Sequence, residues 1–263
     1  MISGRVAQPS NDNLLSLPFG LVKYCLFTLI ILTFLVHHTI AGLLIWNEKL
    51  RFRYFLWSIS QTCKVVLRLL NVSVSVEGDK GVIKQKLIVS NHLSYMDVVI
   101  LFAYYPSLFI TSVEIKNTFL LGRICKLAGC FFVERRKSHR SMETKNNELN
   151  SMKEKFDQGF NVFLFPEGTS SDGSGVLPFK GTFFQLAVDT GTKVQPMCLK
   201  YTGPNAQVSP WYGDMTFPDH LFKICLQREI TAHLTILDEV DGIEKMAFAK
   251  KTQEMISEAY EKH

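Results

Sequence analysis

The longest apolar stretch of the chain lies near its start and limits how the first seventy residues can fold. Residues 24–46 read YCLFTLIILTFLVHHTIAGLLIW and contain no Asp, Glu, Lys or Arg. As an α-helix this run would be about 34 Å long, enough for the ~30 Å hydrocarbon core of a bilayer. It is longer than the core of a signal peptide, and no small-residue cleavage site follows it. We therefore predict a retained membrane anchor.

A second segment, residues 54–70, has apolar residues along one side with Lys64 and Arg68 among them. This pattern is typical of a helix that lies in the membrane interface. The first helix could therefore span the bilayer, or both helices could be half-inserted in one leaflet, and the sequence leaves both arrangements open. We predict a polar leader over residues 1–19, membrane-anchoring helices over 20–70, and a catalytic domain over 71–263.

Charge and cysteine usage indicate where that domain lies and what it binds. More basic residues follow the apolar run than precede it, so the positive-inside rule places everything after residue 47 in the cytoplasm. The six scattered cysteines form no C-x-x-C pair, which favours reduced thiols. Lys and Arg number 29 against 24 Asp and Glu, a net charge of +5. This small excess, without a basic tract interleaved with aromatics, predicts a membrane-lipid surface as a partner and no nucleic acid.

Beyond residue 70, segments with the patterns of strands and helices alternate. Period-two alternation or short apolar runs predict strands over 72–77, 87–89, 131–133, 162–165, 194–199 and 233–237. Helical spacing of apolar residues predicts helices over 141–157 and 243–262. The chain is therefore predicted to be an α/β protein, with a mixed sheet flanked by helices and preceded by N-terminal membrane-associated helices.

Polar clusters follow three of the predicted strands. The sequence NHLSYMD comes after 87–89, PEGTSSDGSG after 162–165, and ERRKSHR after 131–133. Ligands of open α/β sheets gather outside the carboxyl ends of the strands. We therefore expect the three clusters to contribute to one shared pocket.

The first cluster contains His92 and Asp97 with four residues between them. A metal site would need further ligands, and a serine hydrolase using Ser94 would need a G-x-S-x-G turn, which is absent. A third possibility is a general base, in which the carboxylate orients the imidazole. Because the two positions lie about 140° apart around a helix, the side chains can meet only where a helix begins. Alone, the pair could equally be a surface histidine and a helix-capping aspartate.

Four sequence blocks together resemble the glycerolipid acyltransferase family, the lysophosphatidic acid acyltransferases and their relatives. The first is the histidine and aspartate separated by four residues. The remaining blocks are similar to Gly129, Phe132, Val133, Glu134 and Arg135; to Phe165, Pro166, Glu167, Gly168 and Thr169; and to Val194, Pro196 and Met197. The resemblance covers about residues 70–200, in the order and spacing of the family.

The resemblance implies an O-acyltransferase that takes its acyl group from acyl-CoA or acyl-carrier protein, with no cofactor beyond this co-substrate and no metal. Residues 71–263 would then be the acyltransferase domain. His92 would act as the catalytic base and Asp97 would orient it. Substrate-binding roles fall to Glu167, Gly168 and Thr169, which would place the acceptor and the developing oxyanion, and to Arg135, which would hold an anionic head group. Lys180 is a candidate for a second anion contact.

The acceptor is predicted to be a lysophospholipid, with 1-acylglycerol-3-phosphate as the first choice and phosphatidic acid as its product. Many family members that use this substrate have Arg after F-P-E-G-T, where this chain has Ser170. Because a guanidinium suits a phosphate better than a hydroxyl does, lyso-ornithine lipid or another lysolipid is the alternative. A non-catalytic membrane lipid-binding protein is a further alternative.

Overall fold

In a computed structural model of the protein, seven strands within the described part of the chain form one mixed sheet. The structure describes residues 15–78, 86–112, 116–117, 121–127, 130–133, 150, 152–242 and 244–262. The spatial order of the strands is β1-β7-β6-β2-β5-β3-β4. Their bounds are β1 Val72–Glu77, β2 Leu87–Ser90, β3 Leu108–Ser112, β4 Phe131–Val133, β5 Val162–Leu164, β6 Val194–Thr202 and β7 Ile230–Ile236.

Five neighbouring strands, from β6 through β2, β5 and β3 to β4, run parallel to one another. Strand β7 pairs antiparallel with β6, and β1 pairs parallel with β7, so the last two strands run the opposite way. All four residues of β2 are buried, as expected for a central strand covered on both faces. The carboxyl ends of β2 and β5 therefore lie side by side at one edge of the sheet.

Among the described residues, α-helices include α1 Leu17–Leu44, α2 Glu48–Leu70, α3 Tyr95–Tyr104, α4 Leu121–Leu127, α6 Gln185–Thr190, α7 Phe217–Cys225 and α8 Lys245–Lys262. Residues 152–157 form helix α5. The side chain of Asn47 caps α2 by accepting from the Leu50 N–H at 2.9 Å. Asn71 follows the end of α2 as its C-cap, with a φ of 56° that is a left-handed conformation asparagine tolerates.

The predicted fold class is confirmed, with changes at the element ends. The six predicted strands are present, although β6 extends to Thr202 and β7 begins at Ile230, three residues before the prediction. Both N-terminal helices begin earlier than predicted, at Leu17 and Glu48. Strand β3, with the sequence LFITS, was not predicted. Of the helix predicted over 141–157, residues 141–149 and 151 lie outside the described residues.

Candidate active site

His92 and Asp97 meet at the junction between β2 and α3. His92 lies two residues after the end of β2 and three residues before the start of α3, and its Nδ1 is 2.9 Å from Asp97 Oδ2. Asp97 stands in the first turn of α3, where its carboxylate also accepts from the backbone N–H of Ser94 at 2.8 Å and of Leu93 at 2.6 Å. The helix start that the spacing required is therefore present.

These hydrogen bonds define the tautomer of the imidazole. Asp97 is completely buried, and its Oδ2 already accepts from two backbone N–H groups, so His92 Nδ1 must be the donor in the contact between them. The lone pair of the neutral ring is then on Nε2. A histidine in this state can accept a proton at Nε2 while the carboxylate stabilises the imidazolium.

Both the ring and the backbone of His92 are held by neighbouring residues. It stacks on Phe165, with ring centroids 3.8 Å apart and planes 9° from parallel. The side chain keeps 19% of its surface exposed, whereas that of Asp97 has none. The His92 backbone is fixed as well, because its N–H donates to Glu167 Oε1 at 3.0 Å and its carbonyl accepts from the Ser171 N–H at 3.0 Å.

Glu167 lies behind His92 and is only 3% exposed. Burial raises the pKa of its carboxyl to about 8, while the backbone amides of His92 and Leu177 act in the opposite direction. The carboxyl is not on the wall of the cavity described below. Its observed contact is with the loop that carries the base, and its predicted contact with the acceptor stays a prediction.

Gly168 occupies a position that excludes a side chain. Its φ is 76°, and a Cβ there would lie 2.6 Å from the Nζ of Lys180. The glycine therefore lets the exposed Lys180 ammonium approach the F-P-E-G-T turn. The Lys180 backbone N–H also donates to the Pro166 carbonyl at 3.0 Å, which holds this segment against the same turn.

A cavity of about 850 Å³ opens from His92 and runs between the helices. This volume is within the ~300–1,000 Å³ of small-molecule sites. His92, Phe165, Gly168 and Thr169 line one part of it, and side chains of α1, α2 and α3 line another. The helix side chains on the wall are mostly apolar: Phe27, Ile31 and Phe34 of α1, Ile59, Cys63 and Val66 of α2, and Val98, Val99 and Phe102 of α3.

The structure thus brings His92, Asp97, Glu167, Gly168, Thr169 and Lys180 together at the carboxyl ends of β2 and β5. Arg135, predicted to bind the head group, lies outside the described residues, as do Gly129 and Glu134. Sequence reasoning missed Tyr201, whose hydroxyl donates to Asp97 Oδ1 at 2.7 Å. It also missed Asn91, whose side-chain amide pairs with both backbone groups of Leu199. Neither belongs to a pattern that local sequence would reveal.

The described residues do not assemble either of the other two sites considered for His92. Ser94 Oγ is buried and forms no hydrogen bond to the imidazole, so a serine-histidine relay is not assembled. Among the described residues, no group of three or more His, Cys, Asp and Glu side chains could hold a metal ion.

Comparison with known proteins agrees with this geometry. The model of the family Acyltransferase matches residues 73–200. A 1-acyl-sn-glycerol-3-phosphate acyltransferase of Neisseria meningitidis is 35% identical over 176 residues, which is 65% of this chain and 67% of that protein. A lyso-ornithine lipid O-acyltransferase of Pseudomonas aeruginosa is 26% identical over 212 residues, covering 79% of this chain and 78% of that protein.

The fold has a counterpart among solved structures. The crystal structure of the 1-acyl-sn-glycerophosphate acyltransferase PlsC from Thermotoga maritima matches with a TM-score of 0.68. The match covers 92% of this chain and 95% of that chain, at 21% sequence identity. At this identity the match supports the fold, including the part that precedes residue 73.

Proposed function

The chain belongs to the Acyltransferase family, and we propose that it transfers a fatty acyl group from an acyl thioester to the hydroxyl of a lysophospholipid. The observation that carries this proposal is the placement of His92. Its ring is oriented by a buried carboxylate on one side and opens onto an apolar cavity on the other. An activated hydroxyl and a fatty chain can therefore meet at one point that excludes bulk water.

In the proposed reaction His92 Nε2 takes the proton of the acceptor hydroxyl as its oxygen attacks the thioester carbonyl carbon. A tetrahedral oxyanion forms, and Asp97 stabilises the imidazolium through Nδ1–H. When the carbon–sulfur bond breaks, the imidazolium returns the proton to the departing thiolate. The products are an ester-linked acyl chain and a thiol, and His92 is neutral again.

Other residues of the turn would position the reactants. Gly168 and Thr169 lie on the cavity wall beside His92, where they would place the acceptor and the developing oxyanion. Glu167 would act through the His92 backbone that it contacts. Lys180, next to Gly168, and Arg135 would hold the anionic head group of the acceptor.

For the acceptor we propose 1-acylglycerol-3-phosphate, giving phosphatidic acid. The 1-acyl-sn-glycerol-3-phosphate acyltransferase of Neisseria meningitidis is 35% identical to the chain, against 26% to 30% for four lyso-ornithine lipid O-acyltransferases. Lyso-ornithine lipid is the second candidate, because Ser170 stands where an Arg would favour a phosphate. The donor is acyl-CoA or acyl-carrier protein, with no further cofactor.

We also propose that the protein acts at a membrane, with the catalytic domain on its cytoplasmic side. Helix α1 has 28 residues, is about 42 Å long, and is apolar enough to cross a bilayer. Its exposed side chains include Leu21, Leu29, Val36 and Leu43. The same helix lines the cavity through Phe27 and Ile31, so an acyl chain could reach the site from the lipid phase. The basic residues after α1 support the cytoplasmic orientation.

The acceptor is tested by a competition between lysolipids. The purified protein, in detergent or vesicles, receives acyl-CoA or acyl-carrier protein with equal amounts of 1-acylglycerol-3-phosphate, lyso-ornithine lipid and lysophosphatidylethanolamine. Mass spectrometry then identifies the products. We expect phosphatidic acid, with a rate that saturates in acceptor concentration. Turnover of lyso-ornithine lipid alone would reject our first choice, and no acylated lipid from any acceptor would reject the proposed function.

A further inference from the structure

Tyr201 contacts the candidate catalytic pair from a strand that carries none of the residues predicted from sequence to be functional. Its hydroxyl donates to Asp97 Oδ1 at 2.7 Å, and 104 residues separate the two in sequence. Oδ2 of the same carboxylate receives His92 Nδ1–H and two backbone N–H groups. Among the described residues, Tyr201 is the hydrogen-bond partner of Oδ1. The two oxygens of Asp97 are thus held by different parts of the fold.

The strand register explains why Tyr201 reaches this oxygen. Strand β6 pairs with β2 up to the level of Ser90 and Met197. Asn91 then extends the pairing beyond the end of β2, because its side chain donates to the Leu199 carbonyl at 2.7 Å and accepts from the Leu199 N–H at 2.8 Å. Leu199 and Tyr201 are two residues apart and share a face of β6. Tyr201 therefore lies beyond the two Asn91–Leu199 hydrogen bonds, on the side of the start of α3.

On this basis we propose that Tyr201 is a positioning residue, which fixes Asp97 by donating to Oδ1 and so sets how strongly the carboxylate stabilises the imidazolium of His92. The inference rests on the proposed function, since it needs His92 as the base. A hydrogen bond to one carboxylate oxygen withdraws charge from the other and weakens its attraction for Nδ1–H. Removing the donor should therefore make His92 easier to protonate.

The ionisable groups around the pair determine which part of a pH profile reports this effect. Burial raises the pKa of Tyr201 and of Tyr95 on α3, and it raises the pKa of Tyr260 on α8 to about 12, so none of these phenols ionises in the acidic range. Glu167 has a pKa of about 8. Lys180 is exposed beside Gly168. The acidic limb of kcat/KM, where the base loses activity by protonation, is therefore the part to compare between variants.

The test measures kcat/KM against pH for the full-length enzyme and for Tyr201→Phe, which removes only the hydroxyl. We expect the acidic limb to move to higher pH by roughly 0.5 to 1 pH unit, with kcat lower by about tenfold and KM little changed. Tyr260→Phe is the matched control, since it also removes a buried tyrosine hydroxyl, one that donates to the Gly173 carbonyl at 2.8 Å. It should leave the acidic limb in place.

A second variant should move the acidic limb in the opposite direction, and it keeps the tyrosine hydroxyl. Replacing Tyr201 in the full-length chain with 3-fluorotyrosine makes the phenol a stronger donor, so the acidic limb should move to lower pH. This measurement decides the question if Tyr201→Phe does not fold. An acidic limb that stays in place in the variants that fold would overturn the inference, even if their melting temperatures fall. His92→Ala separates failure of the proposed function from failure of this inference. If His92→Ala retains full activity, the proposed base is wrong. If it is inactive and the acidic limb of the Tyr201 variants does not move, only the role of Tyr201 is rejected.

Discussion

The cavity is bounded in two different ways, by a polar end at the sheet and by apolar walls from the helices. At the polar end, His92 lies on the cavity wall, and hydrogen bonds of 2.7 to 3.0 Å join it, directly or through one another, to the buried residues Asp97, Glu167 and Tyr201. Along the walls, residues such as Phe27 and Val66 contribute apolar surface without directional contacts. Hydrogen bonds require particular distances and angles, whereas apolar contacts depend mainly on buried area.

This difference indicates how the two regions divide the proposed function. The polar end admits one arrangement of the base, because each group is held by partners from separate elements. The apolar walls can accept any chain that fits their volume. We therefore expect substitutions at the polar end to act on the reaction rate and on pH dependence, and substitutions on the walls to act on the choice of acyl chain.

The largest effect is expected from His92→Ala. Removing a general base typically lowers the rate by ~10²- to 10⁴-fold. Turnover by equal amounts of variant and wild-type protein measures the effect, with circular dichroism as a check on folding. Ser94→Ala is the matched control, because Ser94 Oγ makes no hydrogen bond to the imidazole and should be dispensable for rate. Activity lost in Ser94→Ala but kept in His92→Ala would reverse the roles given to these residues.

The next effect concerns Glu167 and the dependence of stability on pH. Since its pKa in the folded protein is about 8, well above the ordinary carboxyl value of 4.5, the protonated group stabilises the fold at low pH. That stability is lost as the pH rises from about 4.5 through 8, because only the unfolded chain ionises readily there. The loss is on the order of 5 kcal/mol in the free energy of unfolding.

Glu167→Gln should remove this loss, because the amide does not ionise and can still accept from the His92 N–H. Melting temperatures measured between pH 5 and 9 should fall less steeply in the variant than in the wild type. Glu258→Gln changes an exposed carboxylate on α8 and serves as the control with an unchanged slope. Identical slopes for all three proteins would show that Glu167 is not protonated in the folded state.

The smallest effect is expected on the apolar wall, at α2. Val66→Trp would place a large ring in the cavity, whereas Val65→Trp, one residue away and 46% exposed, would not. We expect Val66→Trp to lower kcat/KM for long-chain acyl donors by about tenfold and to spare short ones, since each methylene in an apolar pocket contributes about that factor. Rates across a series of acyl-CoA lengths measure this. If kcat/KM depended on acyl-chain length in the same way in both variants, the acyl chain would not bind beside Val66.

The two regions also differ in how far the sequence predicted them. His92 and Asp97 were recognisable because they form one of four sequence blocks that resemble the glycerolipid acyltransferases, and F-P-E-G-T, another of these blocks, supplied Glu167 and Gly168. Helix α1 followed from its long uncharged run. The part of α1 that lines the cavity was not predictable, because apolar residues cover the whole helix and no periodicity separates the face toward the cavity from the exposed face.

Sequence alone therefore determined the alternation of strands and helices, the uncharged N-terminal helix, and the pair of residues at the start of α3, because each depends on neighbours within a few positions. Only the tertiary structure decided that Tyr201 supports Asp97, that Glu167 contacts the His92 backbone, and that α1 and α2 close the cavity. The contacts of Tyr201 and Glu167 depend on the spatial order β6-β2-β5, which joins residues separated by 75 to 104 positions in the chain. Strand order is a property of the assembled sheet, and no local pattern in the sequence encodes it.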